Sequence, residues 1–280
     1  MFYEKIDLYA YCGIERGQSE RGFLTALAPS PCREVKKKLR PAMLVIPGGA
    51  YTHVAELEGE PVAVAFLKEG YATFLLDYEV NTVYPAPLLQ AAMAMRYIRE
   101  NAEKYGIDPH RVCVLGFSAG GHLAGLLSTM YDRSEVVNAL GKVGIEIRPD
   151  ATVYAYAVVS TEAGVGHSET VETITGGDQN LLSLLSVDKA VHKNTPPAFI
   201  WHTRNDNSVP VENAYRLAKA YEQQGILYEL HVFANGPHGL SLSNMETGDS
   251  SDPETIQPSV RVWVSLAQTF LNNLGFAVTD

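Results

Sequence analysis

Ser118 lies in the run Val114-Leu115-Gly116-Phe117-Ser118-Ala119-Gly120-Gly121-His122, and the residues around it are those a nucleophilic serine requires. An apolar β-type stretch aims a sharp turn, and glycines at 116 and 120 let neighbouring backbones pass close. Small, helix-compatible residues follow at once. A serine hydroxyl is a weak nucleophile at neutral pH, so the chain must also supply a base and an acid that orients the base. His238, in the turn-rich Asn235-Gly236-Pro237-His238-Gly239 between the last β-type run and the closing helical pattern, is the candidate base. The remaining histidines fit less well. His202 and His231 lie within or at the end of β-type runs, His122 falls on the helix behind the serine, and His53, His110, His167 and His192 lie apart from the late strands.

The candidate acid is Asp206, in the loop His202-Thr203-Arg204-Asn205-Asp206-Asn207-Ser208-Val209-Pro210 that follows a strand and precedes a helix. The same composition suits an Asx-turn or a helix cap, and Glu162, after the preceding strand, is a competing acid. Acyl transfer also needs donors for a developing oxyanion. The backbone N–H of Ala119 is one. Gly49 and Ala50, in Ile46-Pro47-Gly48-Gly49-Ala50-Tyr51, are the others expected, although a plain Gly-Gly turn would account for the glycines alone.

Those residues need a frame. Apolar, β-branched runs recur at Met43–Ile46, Ala72–Leu76, Val112–Leu115, Thr152–Val159, Ala198–Trp201 and Glu229–Phe233, and read as strands buried on both faces. Helix-like segments alternate with them at Pro61–Lys68, Pro87–Tyr105, Gly120–Met130, Val211–Gln224 and Pro258–Leu274. In the fourth, Ala214, Leu217, Ala218 and Tyr221 share one face. Alternation of this kind predicts an α/β fold, a mostly parallel central sheet with helices on both faces. Lys5–Tyr9 and Gly22–Ala28 are candidate antiparallel edge strands. Residues 1–280 read as a single domain, within which 160–195 is either a small lid or pocket wall or an irregular connector.

A net charge of −10, from 22 basic and 32 acidic residues, argues against a nucleic-acid partner. The basic cluster Lys36-Lys37-Lys38 with Arg40 reads as a solvated loop before the strand at Met43. Cys12, Cys32 and Cys113 have neither disulfide-framework nor zinc spacing, so they read as free, buried thiols. The N-terminus lacks a leader pattern and no apolar run approaches membrane-spanning length, so the expectation is a soluble cytoplasmic protein with no membrane partner. A homo-oligomer through an edge strand or the closing helix is compatible with the pattern.

Taken together, the chain resembles the α/β-hydrolase superfamily, and within it the small esterase and lipase-like proteins grouped with acetyl xylan esterases and bacterial feruloyl or acetyl esterases. The resemblance runs from Leu44 almost to Leu242. It is carried by Pro47-Gly48-Gly49-Ala50-Tyr51, Glu58-Gly59-Glu60-Pro61-Val62-Ala63, the Ser118 motif, Thr195-Pro196-Pro197-Ala198-Phe199, Asp206 with Val209-Pro210, and Gly236-Pro237-His238-Gly239-Leu240. The chain order Ser118, Asp206, His238 matches that superfamily and not the protease orders. The resemblance implies Ser118 as nucleophile, His238 as base, Asp206 as orienting acid and the Gly49, Ala50 and Ala119 amides as oxyanion hole. Pro47 stands where the hormone-sensitive-lipase branch has histidine, and Ala50 where many relatives have a third glycine.

The expected activity is therefore a serine carboxylester hydrolase acting on a small-molecule, short-chain acyl ester, acetylated sugars or xylo-oligosaccharides among the candidates. The mechanism requires no cofactor and no metal. An arylformamidase uses the same machinery, and a non-catalytic ligand-binding module on this fold is the alternative from another class. Tyr51, Tyr78 and Tyr84 are candidates for lining a sugar or aryl site or for packing in the core.

Overall fold

Strands β3 (Arg40–Ile46) and β5 (Ile107–Phe117) form the centre of the structure, a computed structural model that describes residues 1–17, 20–30, 34, 38–141 and 144–279, side chains at 144 and 145 excepted. Flanking them are β1 (Phe2–Asp7), β2 (Phe23–Ala28), β4 (Ala72–Asp77), β6 (Ala151–Ala155), β7 (Ala198–Thr203) and β8 (Tyr228–Phe233). The sheet order is β1-β2-β4-β3-β5-β6-β7-β8. From β4 to β8 every pairing is parallel, while β1 and β2 add to one edge antiparallel.

Side chains alternate across the strands and so feed two cores. Leu44, Ile46, Val112, Val114 and Ile200 point to one side, against the helices Ala86–Glu100, Ser118–Met130 and Glu212–Gln224. Met43, Val45, Cys113, Leu115 and Trp201 point to the other, against Glu60–Lys68 and Trp263–Asn273. Both faces are covered, as the alternating pattern predicts. Register then sets the working edge. Ile46 lies opposite Gly116, Phe117 opposite Ala155, Ala155 opposite Trp201, and Thr203 opposite Phe233, so the loops after five parallel strands leave from one end of the sheet.

The structure departs from the sequence pattern in several places. The sixth strand ends at Ala155 and not at Val159, because Tyr156 takes a positive φ of 36°. The helix expected over Pro87–Tyr105 breaks at Asn101, whose φ of −107° leaves the helical region and whose side chain bonds the Tyr97 carbonyl. The closing pattern likewise divides into Pro258–Arg261 and Trp263–Asn273. The first edge strand spans Phe2–Asp7 rather than Lys5–Tyr9, since Asp7 caps a short helix at Leu8–Cys12. Strand β8, expected to be buried on both faces, is half-buried throughout because it has only β7 as a neighbour. Arg40 opens β3 and bonds the Gly70 carbonyl, so it is not part of a solvated loop. Lys36, Lys37 and Cys32 lie outside the described residues. Cys113 is a buried free thiol and Cys12 a half-buried one. No helix among the described residues is long and apolar enough to cross a membrane.

Candidate active site

The turn from β5 into the Ser118–Met130 helix is sterically dictated. Ser118 itself sits at φ 50°, a left-handed conformation rare for a residue with a side chain, and is 8% exposed. A Cβ on Gly116 would fall 2.2 Å from the Gly120 carbonyl oxygen, and one on Gly120 2.2 Å from that of Ile46. Neither position tolerates any other residue, which is the physical content of the G-x-S-x-G spacing. The loop after β3 runs directly over this turn, since a Cβ on Gly48 would stand 2.9 Å from that of Ser118.

Ser118, His238 and Asp206 are brought into one hydrogen-bonded line. Ser118 Oγ lies 2.8 Å from His238 Nε2, and His238 Nδ1 lies 2.7 Å from Asp206 Oδ2. A carboxylate only accepts, so Nδ1 carries the proton and Nε2 is left to accept from the serine hydroxyl. Asp206 is buried and serves two ends at once. Its Oδ1 accepts from Ser208 and Val209 backbone N–H at 2.9 and 2.8 Å, the Asx-turn that the composition suggested, while Oδ2 faces the histidine. Burial alone would raise its pKa, but the His202 imidazole 3.4 Å away and the hydrogen bond from His238 outweigh burial and hold the carboxyl well below the ordinary range. Glu162, the competing acid, is exposed and paired with Arg216 and Lys189, away from His238.

The three expected oxyanion donors lie in the two segments that meet at Ser118. No acceptor among the described residues takes the N–H of Gly49 or Ala50, and Ala119 falls in the first turn of its helix, where backbone N–H groups have no intrahelical partner. The loop carrying the first two is braced from several sides. Tyr78 donates to the Pro47 carbonyl at 2.8 Å, Asn81 N–H to the Tyr51 carbonyl at 2.7 Å, and buried Glu58 accepts from Gly48 N–H at 2.7 Å. Tyr51 donates to His122 Nδ1 at 2.9 Å, and His122 Nε2 donates to the Leu185 carbonyl at 2.7 Å. Burial pushes the His122 pKa down to about 4, so the ring is neutral and its tautomer is set by these two partners.

Tyr51 and Tyr78 are therefore buried braces, not the lining of an open pocket, and Tyr84 bonds Glu135. Residues 160–195 form three short helices, Ser168–Thr175, Gln179–Leu184 and Val187–Ala190. They are tied to the rest of the domain through Leu185 to His122 on the Ser118–Met130 helix, Val187 N–H to Val159 in the loop after β6 at 2.8 Å, and Val165 to Asn213 on the Glu212–Gln224 helix at 2.8 Å. A cavity of about 630 Å³ beside Pro47, lined by Leu57, Glu60, Val64, Leu75 and Asp77, does not include Ser118 or His238.

Sequence reasoning assigned no role to Glu58, Tyr156, His122 or His202. His202 is fully buried, with Nε2 donating to Val209 O at 2.8 Å and 3.4 Å from Asp206 Oδ2. Its place at the end of a strand, four residues before Asp206, was the available signal. Glu58, a carboxylate in a glycine-flanked loop just before a helix, offered a weaker one.

Comparison with known proteins adds lineage to this geometry. A family model described as BD-FAE matches residues 32–221. The chain is 38% identical over 214 residues to Endo-1,4-beta-xylanase B of Butyrivibrio fibrisolvens, an overlap of 74% of this chain and 33% of that protein. It is 29% identical over 207 residues to an acetylxylan esterase of Xylanibacter ruminicola, covering 71% of this chain and 41% of the relative. The chain thus spans well under half the length of these two curated relatives. The crystal structure of an acetyl ester-xyloside bifunctional hydrolase from Caldicellulosiruptor lactoaceticus superposes with a TM-score of 0.78 at 36% identity, over 91% of this chain and 89% of that one.

Proposed function

The chain belongs to the BD-FAE family and has the α/β-hydrolase fold, and from that premise we propose that it is a serine carboxylester hydrolase acting on short-chain acyl esters, acetylated sugars or xylo-oligosaccharides foremost. The observation that carries the reading is the line Ser118 Oγ, His238 Nε2, His238 Nδ1, Asp206 Oδ2, with contacts of 2.8 and 2.7 Å, beside backbone amides that lack acceptors. His238 takes the Ser118 proton as Oγ attacks the ester carbonyl. The tetrahedral oxyanion is held by the N–H groups of Gly49, Ala50 and Ala119, and the imidazolium returns the proton to the departing alcohol. Water, activated by the same histidine, then releases the acid from the acyl-enzyme. Asp206, kept ionised, holds the ring in the tautomer this requires.

The sugar-ester class is supported by the named activities of the relatives alone, which is why it needs a direct test. The whole chain is read as one hydrolase domain, with 160–195 as a fixed wall rather than a mobile lid, a reading its bonds to His122, Val159 and Asn213 support. The test is a panel of p-nitrophenyl esters from acetate to octanoate, acetylated xylose and methyl ferulate, each run with Ser118→Ala as control. Turnover should be greatest for acetate and acetylated xylose. A preference for octanoate, or for the ferulate ester, would overturn the substrate assignment while leaving the chemistry in place.

A further inference from the structure

The carboxyl group of Glu58 has no part in the chemistry above, yet it is buried to 3% exposure and hydrogen-bonded to Gly48, ten residues earlier in the oxyanion loop. Burial pushes the pKa of the Glu58 carboxyl up from its ordinary range, and hydrogen bonds from Tyr156 and Gly48 offset that only in part, so those two partners are informative. Both lead toward the loops that carry the expected oxyanion donors and His238. Oε2 accepts from the N–H of Gly48, immediately before the expected oxyanion donors, at 2.7 Å. Oε1 accepts from the Tyr156 hydroxyl, also at 2.7 Å.

Tyr156 continues the chain of contacts. Its oxygen accepts from Ser241 N–H at 3.0 Å, three residues beyond His238, and its ring meets the His238 ring edge-on with centroids 5.0 Å apart. A second link runs parallel, from Ser241 Oγ to the Leu57 carbonyl at 2.7 Å. The loop after β3 and the loop after β8, which are not adjacent strands, are therefore joined through the Glu58 carboxyl group and, beside it, the Ser241–Leu57 bond. Two donors converge on Glu58, and among the described residues Glu58 Oε1 is the acceptor of the Tyr156 proton, while the Tyr156 oxygen separately accepts from Ser241 N–H. The site calls for two acceptor oxygens, which a carboxylate supplies and an amide does not.

The geometry points to Glu58 as a positioning residue that fixes the oxyanion loop relative to the His238 ring, a role that rests on the esterase reading. Its contribution is made in the transition state, when oxyanion and imidazolium exist together, and so falls on kcat rather than KM. In Glu58→Gln one of the two donors loses its acceptor with little change of volume. We expect kcat for p-nitrophenyl acetate to fall about 10- to 100-fold, with KM within about threefold of wild type. Affinity for an alkylboronic acid, which forms a tetrahedral adduct on serine, should weaken by the same factor as kcat. Tyr156→Phe should show a smaller fall, and the double variant should be no worse than Glu58→Gln by more than about twofold, because both act along one chain.

A purely structural role would lower the melting temperature and leave kcat and boronate affinity alone. That result in a folded Glu58→Gln protein overturns the assignment. Should Glu58→Gln not fold, Tyr156→Phe decides, and unchanged kcat there overturns it equally. The wild type separates this claim from the one beneath it. Ser118-dependent turnover with a fully active Glu58→Gln removes only the Glu58 role, whereas absence of turnover by the wild type removes the esterase reading and this role with it.

Discussion

The two halves of the site are held in place by different physics. On the nucleophile side, the path of the chain through Ser118 and the Gly48–Tyr51 loop is set first by backbone sterics, positive φ at Gly49, Ala50, Tyr51 and Ser118 and glycines whose Cβ would strike a carbonyl, with the bonds from Glu58, Tyr78 and His122 as braces on it. On the base side, Asp206 and His238 are fixed by side-chain hydrogen bonds. Asp206 bonds Ser208 and Val209 N–H, Asn205 Oδ1 accepts from Gly236 N–H at 2.9 Å, and Thr203 Oγ1 donates to the Gly236 carbonyl at 2.8 Å. The first half is built between central strands and the second hangs from β7 and the half-buried edge strand β8. Steric damage in the first half should therefore appear as lost folding, and loss of a side-chain hydrogen bond in either half as lost turnover in a folded protein.

The sharpest contrast is Gly120→Ala against Asp206→Asn. Alanine at 120 forces the Ile46 and Pro47 carbonyls away, so stability should drop by about 3 kcal/mol or more, roughly 6–12 °C in melting temperature, and activity should fall because the shifted backbone adjoins the Ser118 turn. Thermal melts followed by circular dichroism check it; a wild-type melting temperature would break the comparison. Asp206→Asn keeps the acceptor for the Asx-turn but presents an amide to His238 Nδ1, favouring the wrong tautomer. Turnover should fall about 10⁴-fold with a melting temperature close to wild type, as steady-state kinetics on folded protein would show.

A pH titration probes a brace of the nucleophile half. His122 is buried and neutral with a pKa lowered to about 4, below its unfolded value, so the unfolded chain binds the extra proton as pH falls. The associated stability is present above about pH 6.5 and is lost progressively toward pH 4. Urea unfolding should show about 2 kcal/mol less stability at pH 5 than at pH 7 from this group, a difference absent in His122→Gln. A pH dependence identical in both proteins would remove His122 from the account. The smallest effect belongs to the edge side. Asn205→Ala leaves Gly236 N–H unpaired beside the base loop, and should cost about 1 kcal/mol of stability and a few-fold in kcat, measurable by the same melts and kinetics.

The contrast also explains what the sequence disclosed. Sterically dictated parts leave a residue signature: Gly116 and Gly120 are legible because a side chain at either would strike a carbonyl, Ser118 because it stands midway between them, and the apolar runs of β3 to β7 because both their faces are buried. Hydrogen-bonded parts leave less. Asp206 and His238 were found by their place in loops after late strands, while His202 was passed over because a buried histidine at a strand end resembles any core residue. Glu58 and Tyr156 are joined across 98 residues of chain, a partnership no local pattern encodes. The apolar run Thr152–Val159 outlasts its strand for a related reason, since apolar character continues past Ala155 while the backbone turns at Tyr156.

The central claim is that Ser118, activated by His238, carries the chemistry. Intact-protein mass spectrometry after reaction with a fluorophosphonate, followed by peptide mapping, tests it most directly. The account predicts one adduct per chain, on Ser118, formed in step with loss of p-nitrophenyl acetate turnover and much slower in Asp206→Asn. An adduct on another residue, or turnover that persists in Ser118→Ala, would contradict it.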